Sequence, residues 1–130
     1  MNVVITLKKK LITAIVSGSK TIELRKSYPR EFDCRRDYVI IIEKGTSNAV
    51  AWFQVSDFQY ESNPIHIWNY YSIQIGMPFL WYLAYAPRVR AYYLWRIRNA
   101  GYLYTPICRD RVLGLSKNPI NYTYTSYKFI

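Results

Sequence analysis

The order of apolar and polar residues along the chain predicts many short strands and a few short helices. β-branched residues at 3–6 predict an opening strand. Apolar positions within 7–16 recur at helical spacing, and Gly18 is typical of a helix end. Residues 20–26 then alternate between apolar and polar side chains, which predicts a half-buried strand.

The middle of the chain predicts a β-hairpin followed by two short helices. The runs 38–42 and 49–58 are rich in β-branched and aromatic residues and are separated by a polar turn. Asn63 and Pro64 form a helix start signal, with Asn63 as the cap and Pro64 in the first turn. Residues 78–84 predict a further apolar helix.

Residues 88–98 give the clearest alternation in the chain and predict a strand with two chemically different faces. One face carries Arg88, Arg90, Tyr92, Leu94, Arg96 and Arg98. Short segments at 102–107 and 122–129 predict further strands, the last of which closes the fold. The order of elements has no βαβ rhythm, so the chain predicts one α+β domain, over residues 1–130, of the barrel-like kind.

The charge distribution indicates which class of molecule the protein attracts. The chain has 18 Lys and Arg against 8 Asp and Glu, a formal net charge of +10. Residues 62–130 hold a single acid, Asp110, among many basic residues. Such a field attracts polyanions, of which nucleic acid is the commonest in a cell, although a basic surface that is merely well solvated is the alternative.

Other side chains restrict the chemistry and the compartment. Cys34 and Cys108 are the only cysteines, which indicates free thiols and a cytoplasmic protein. With His66 as the single histidine, we expect no metal site, no cofactor and no paired-histidine ribonuclease mechanism. No apolar run reaches the roughly 20 residues of a membrane span, so no membrane partner is expected.

The segment at residues 18–25 reads Gly-Ser-Lys-Thr-Ile-Glu-Leu-Arg and follows the first predicted helix. It resembles the Gly-x-Lys-x-x-Glu-x-Arg signature of the ASCH domains, which belong to the PUA-like superfamily. The resemblance implies a PUA-like β-barrel of about five to six mostly antiparallel strands, flanked by two or three short helices. It further implies a cleft between barrel and helix. Members are generally proposed to bind RNA, and some bacterial members act as ribonucleases or as amidohydrolases on acylated cytidine.

The signature supplies the candidate ligand site, formed by Lys20, Thr21, Glu23 and Arg25. Glu23 and Arg25 lie two apart on one strand face, where they can hold one polar ligand between them. The Lys20 ammonium is suited to a phosphate or, if desolvated, to acid–base chemistry. The alternative is structural: Glu23 and Arg25 form an ion pair at the barrel end, and Lys20 is a solvated charge.

The arginine face is the second candidate, as a nucleic-acid-binding surface. Arginine binds phosphate in a forked manner and aromatic rings stack on unpaired bases. Its proposed members are Arg88, Arg90, Tyr92, Arg96, Arg98, Arg109 and Arg111. The alternative is an amphipathic strand whose outer face is simply soluble.

Two classes of function follow from these candidates. The first is a binding module for RNA, with a nucleotide or modified nucleoside as the alternative ligand. The second is a metal-independent ribonuclease or modified-nucleoside hydrolase, with Lys20 and Glu23 as its catalytic acid and base. The family's amidohydrolases have a nucleophilic threonine where this chain has Glu23, and a carboxylate cannot run that acyl transfer. The oligomeric state is left open.

Overall fold

The computed structural model describes residues 1–85, 92–114, 118–119 and 121–128, which form six strands and four helices. In chain order these are β1 (Asn2–Leu7), α1 (Lys9–Ser17), β2 (Ile22–Arg25), β3 (Val39–Glu43), β4 (Asn48–Glu61), α2 (Pro64–Ile75), α3 (Phe79–Tyr85), β5 (Tyr92–Cys108), α4 (Arg109–Leu113) and β6 (Thr123–Thr125). The predicted α+β class is confirmed.

The six strands form one sheet in the order β2-β5-β4-β3-β1-β6. Only β1 and β3 pair in parallel, with Val3 opposite Val39, and the other pairings are antiparallel. The predicted hairpin of β3 and β4 is present, and β4 continues into a long antiparallel pairing with β5. Register shifts interrupt β4, and such bulges bend a sheet.

The sheet is buried on both faces where its strands are continuously apolar. Along β1 and β3 the side chains alternate between two apolar clusters, because both faces of the central sheet are covered. One cluster packs under α1 through Leu11, Ile12 and Ile15. A third cluster joins β2 and the start of β5 to α2 and α3, through Ile67, Ile75 and Tyr82.

The prediction of a closed barrel is corrected by the strand pairing. The described sheet is open, since β2 and β6 lie at its two edges. The side chain of Arg25 spans part of that gap, because its guanidinium on β2 donates to the carbonyls of Asn121, beside β6, and of Thr6 on β1. Between the two edges of the sheet, the Arg25 side chain therefore provides a connection that backbone hydrogen bonds between strands provide in a closed barrel.

Several predicted elements differ in extent from those observed. Strand β5 runs through Pro106 to Cys108, and β6 is only three residues long. The predicted strand at 88–98 is observed from Tyr92 onward, and Arg88 and Arg90 lie outside the described residues. No helix in the described ranges has the length and apolar character required to cross a bilayer.

Candidate functional site

Lys20, Glu23 and Arg25 form a buried ionic network rather than an exposed strand face. All four residues of β2 are buried, because β5 pairs with it and α2 covers it. The Glu23 carboxylate accepts from both cations: Oε1 lies 3.2 Å from Lys20 Nζ, and Oε2 lies 2.7 Å from Arg25 Nε. The prediction of a half-buried strand is therefore corrected.

The Lys20 side chain has no exposed surface, and its ammonium is fully surrounded by acceptors. Nζ donates to the carbonyl of Ile22 at 2.7 Å and to that of Ile75 at 2.6 Å, in addition to its contact with Glu23. Three acceptors match the three N–H donors of a charged lysine. Since Ile75 ends α2, Lys20 attaches this helix to the sheet.

The electrostatics of the network hold Glu23 as a carboxylate. Burial by itself raises the pKa of Glu23, but the charges of Lys20 and Arg25 outweigh it and keep the pKa below its ordinary value. Burial lowers the pKa of Lys20, and the Glu23 charge opposes that lowering. The network thus contains one anion between two cations, all withdrawn from water.

A cleft of about 390 Å³ lies beside this network, between the end of β1, the start of α1 and helix α3. It is lined by Thr6, Leu7, Lys8, Leu11, Lys44, Met77, Trp81, Ala84 and Tyr85. Lys8 and Lys44 contribute two ammonium groups, and Lys8 Nζ lies 4.1 Å from the ring centre of Trp81. The cleft therefore combines positive charge with an aromatic surface.

Two polar groups connect the cleft to the buried network. Thr6 lines the cleft, its carbonyl accepts from Arg25, and its buried hydroxyl has no hydrogen-bond partner among the described residues. Burial raises the pKa of Tyr85 to about 12, with Arg25 opposing that rise and Glu23 adding to it. At neutral pH the Tyr85 phenol is protonated and is a hydrogen-bond donor.

The signature residues differ in their burial and in their position relative to this cleft. Thr21 is exposed, and its backbone links Gln74 of α2 to Ile97 of β5. Lys20, Glu23 and Arg25 are absent from the cleft lining. Arg25 reaches the cleft wall by donating to the Thr6 carbonyl, and the charges of Arg25 and Glu23 act on the Tyr85 phenol. The alternative of a solvated Lys20 is excluded by its burial.

Sequence reasoning did not assign Lys8, Lys44, Trp81 and Tyr85 to a site. Lys8 is exposed directly before α1, and Trp81 is partly buried on α3. One signal was available: Lys8 directly follows a buried strand and precedes a helix, a position that lies at the rim of the sheet. Nothing in the sequence brings Lys44 or Tyr85 to the same rim.

The arginine face is divided in the structure. Tyr92 is 1% exposed and packs in the cluster beneath α2 and α3, so the prediction that it offers a stacking surface is corrected. Arg96 is held by Gln59, lies 3.8 Å from Asp57 and stacks over Tyr71. Arg98 is exposed and donates to the carbonyl of Cys34.

Arg109 and Arg111 lie on α4, at the far end of β5 from Arg98. The eleven residue-to-residue steps from Arg98 to Arg109 correspond to about 36 Å of extended strand. Arg109 Nη1 donates to Asn118, its buried Nε has no partner among the described residues, and Arg111 stacks over Tyr127. Arg96 and Arg98 on β5 are therefore separated from Arg109 and Arg111 on α4.

No cluster of three or more metal-ligating side chains occurs within the described ranges of the chain. Cys34 is partly buried and Cys108 is exposed, and both are free thiols. His66 lies on α2 near Glu61, at 3.8 Å, and against the ring of Tyr70. His66 is therefore a partly exposed residue on the surface of α2.

The family model of the ASCH domain matches residues 5–99, which include the network and most of the cleft lining. The chain belongs to the ASCH domain family. The ASCH protein of Zymomonas mobilis has a similar fold, with a TM-score of 0.79 and 18% identity over 95% of this chain and 86% of that one. Its serine-to-alanine and tyrosine-to-phenylalanine variants match equally, with 87% and 88% of their chains covered.

At this identity the likeness establishes the fold of the ASCH domain, and the residues of each protein have to be interpreted separately. No curated protein shows a significant sequence match to this chain. The family relation therefore supports the α+β fold and the position of the signature. The chemistry of the site rests on the side chains described above.

Proposed function

We propose that this ASCH domain binds RNA and that the cleft beside the signature takes one nucleotide of the strand. The observation that carries the proposal is the cleft itself, in which Lys8 and Lys44 lie beside the ring of Trp81. Lysine ammonium groups bind phosphate, and an indole ring stacks on a base. The net charge of +10 provides the long-range attraction for a polyanion.

The size of the cleft fits a small ligand or a single unit of a polymer. Its volume of about 390 Å³ lies near the lower limit of small-molecule sites, which run from roughly 300 to 1,000 Å³. The Tyr85 phenol is a polar group of the cleft wall that can fix the orientation of the ligand. The alternative ligand for this cleft is a free nucleotide or a modified nucleoside, which would use the same lysine and aromatic groups.

In this proposal the signature residues position the cleft rather than contact the ligand. Arg25 holds the Thr6 carbonyl, and Lys20 holds the end of α2, from which the chain continues through Met77 into α3. The exposed Arg98 and Arg111 are the candidates for backbone contacts outside the cleft. Arg88 and Arg90 remain members of the predicted basic face and lie outside the described residues.

The burial of Lys20 and Glu23 disfavours the enzyme alternative in this conformation. A general acid or base has to come within hydrogen-bond reach of the reacting group. The three donors of Lys20 are occupied, and both carboxylate oxygens of Glu23 contact cations. A ribonuclease that uses this pair would have to open the network first.

Binding of a fluorescent single-stranded RNA, measured by anisotropy at about 50 and 200 mM salt, tests the proposal. We expect affinity that falls as salt rises, because bound phosphates release counterions. The double variant Lys8→Ala/Lys44→Ala should bind at least tenfold more weakly. Denaturing gels of the endpoint samples report whether the RNA stays intact.

The matched control is Lys9→Ala/Lys26→Ala, which removes the same charge from exposed lysines that do not line the cleft. Equal loss of affinity in the two double variants would sink the cleft assignment. Binding whose affinity does not change with salt concentration would exclude RNA as the partner. Cleaved RNA, lost in Glu23→Gln, would establish the enzyme instead.

A further inference from the structure

Helices α2 and α3 belong to a segment without a single charged residue. Residues 62–87 contain no Lys, Arg, Asp or Glu, whereas the rest of the chain contains 26 of them. His66 is the only histidine of this segment. A long uncharged segment on a strongly basic protein requires a physical explanation.

The two helices expose large apolar side chains to solvent. Six of them are roughly half or more exposed: Ile65, Tyr70, Ile73, Phe79, Leu80 and Leu83, with Ile73 at 84% and Leu80 at 76%. Together they present on the order of 800 Å² of surface. That sum is of the size of one side of a standard protein interface, about 800 Å².

The same face contains a groove. An opening of about 410 Å³ between α2 and α3 is lined by Pro64, Ile65, Trp68, Asn69, Phe79, Tyr82 and Leu83. Helical spacing places Ile65, Asn69 and Ile73 along the outer side of α2, so the groove and the projecting Ile73 side chain belong to one face. A face with both a projection and a groove can be complementary to itself.

We propose that this α2–α3 face binds a second copy of the chain in a two-fold dimer. In such a dimer Ile73 or Leu80 of each copy enters the groove of the other. Charge favours this occupant, because two molecules with a charge of +10 repel each other wherever cations meet. The uncharged face is the surface on which two copies approach without bringing cations together.

A lipid surface fits the same helices less well. Helices that lie in a membrane interface carry Lys and Arg on their polar side, where these contact anionic headgroups. Neither α2 nor α3 contains a Lys or Arg. Lys8 and Lys10 contact Trp81 of α3, Arg96 lies over Tyr71 of α2, and none of these residues lines the groove.

The dimer would also bear on the cleft, because α3 contributes to both sites. Phe79, Tyr82 and Leu83 line the groove, whereas Trp81 and Tyr85 line the cleft. A second copy therefore stabilises the short helix that forms one wall of the proposed nucleotide site. The dimerisation proposal itself does not depend on the identity of that ligand.

Sedimentation velocity over a wide range of protein concentrations, at about 50 and 500 mM salt, tests the inference. We expect a species of twice the 15.5 kDa chain mass. Its dissociation constant should stay constant or fall as salt rises, because salt screens the repulsion between copies and does not weaken an apolar contact. Ile73→Asp should raise the dissociation constant at least tenfold.

The control is Tyr104→Asp, which places the same charge on a fully exposed aromatic position outside α2 and α3. Thermal melts of both variants establish that they remain folded. A monomer at every concentration and salt, or equal weakening by the two variants, would overturn the inference. So would binding to phosphatidylserine vesicles that Ile73→Asp abolishes while no dimer forms, since this outcome assigns the face to lipid.

Discussion

At the scale of single residues, Glu23 is the critical member of the site. Among the residues that the structure describes, its carboxylate is the only acid contacting the buried Lys20 and Arg25. Removing one member of a buried ion pair leaves its partner charged and desolvated, which costs about 3–5 kcal/mol. The contribution of Glu23 is therefore to stability and to the position of the cleft walls.

Glu23→Ala should lower the free energy of unfolding by about 3–5 kcal/mol, because two buried cations lose their counter-ion. Urea denaturation followed by circular dichroism measures this change. Asp57→Asn is the control, since Asp57 and Arg96 form a partly exposed pair at 3.8 Å and such pairs contribute about 0–1 kcal/mol. A loss below 1 kcal/mol in Glu23→Ala would contradict the buried network.

The lowered pKa of Glu23 predicts a pH dependence of stability. Unfolding returns the carboxyl to its ordinary pKa of 4.5, so the unfolded chain takes up the proton first as the pH falls. The contribution of Glu23 is complete well above pH 4.5 and is lost as the pH falls through the lower, folded-state value. Urea midpoints between neutral and acid pH should fall, and they should fall less in Glu23→Gln.

Residue-level chemistry was only partly predictable from the sequence. The signature was located correctly, and Glu23 and Arg25 do pair. The burial of the Lys20, Glu23 and Arg25 side chains was not predictable. The alternation along β2 shows that successive side chains point to opposite faces of the sheet, but it does not show what covers each face. Helix α2, far away in sequence, covers Lys20 through Ile75.

At the scale of elements, the contact between the end of α2 and Lys20, which lies between α1 and β2, depends on a glycine. Gly76 follows α2 with a φ of 62°, and a Cβ there would lie 2.8 Å from the Cβ of Lys20. Gly18 follows α1 with a φ of 87° and has nothing within 4 Å of its Cβ position. The two helix ends share a backbone conformation and differ in packing.

Gly76→Ala should therefore destabilise the protein more than Gly18→Ala does. Both substitutions incur about 1–2 kcal/mol for a left-handed residue. Gly76→Ala adds roughly 1–3 kcal/mol because its methyl group overlaps Lys20 and pushes α2 outward. Equal unfolding free energies for the two variants would show that α2 does not pack tightly against Lys20.

The elements themselves were largely predictable. The Asn63 side chain caps α2 by accepting from the backbone of Ile65 and His66, as its position before Pro64 indicated. Pro106 lies within β5, and this is possible because it falls between the positions of β5 that pair with β4. Local signals determined where elements begin, whereas pairing determined how far they extend.

At the scale of the whole molecule, charge is distributed so that different surfaces suit different partners. Cations surround the cleft and occur along β5, while α2 and α3 carry none. The two proposed interactions should consequently respond to salt in opposite directions. Rising salt weakens the binding of RNA and leaves the apolar dimer intact.

Arg98→Ala should weaken the binding of all single-stranded RNA sequences alike and reduce the salt slope by about 0.7, the value for one phosphate contact. Anisotropy titrations at several salt concentrations measure both quantities. Arg35→Ala removes the same charge from an exposed arginine that pairs locally with Asp33. If the two variants lose the same affinity, net charge alone accounts for binding and β5 provides no specific contact.

The sequence by itself determined the α+β class, most of the elements that the chain contains and where the signature falls. Only the tertiary structure decided that the sheet is open, that the signature is buried, and that Lys8, Lys44, Trp81 and Tyr85 share a cleft. The physical reason is the range of the interactions. Periodicity and helix caps depend on residues that are close in sequence. Burial depends on which distant elements pack against a face of a strand, and alternation does not specify those elements.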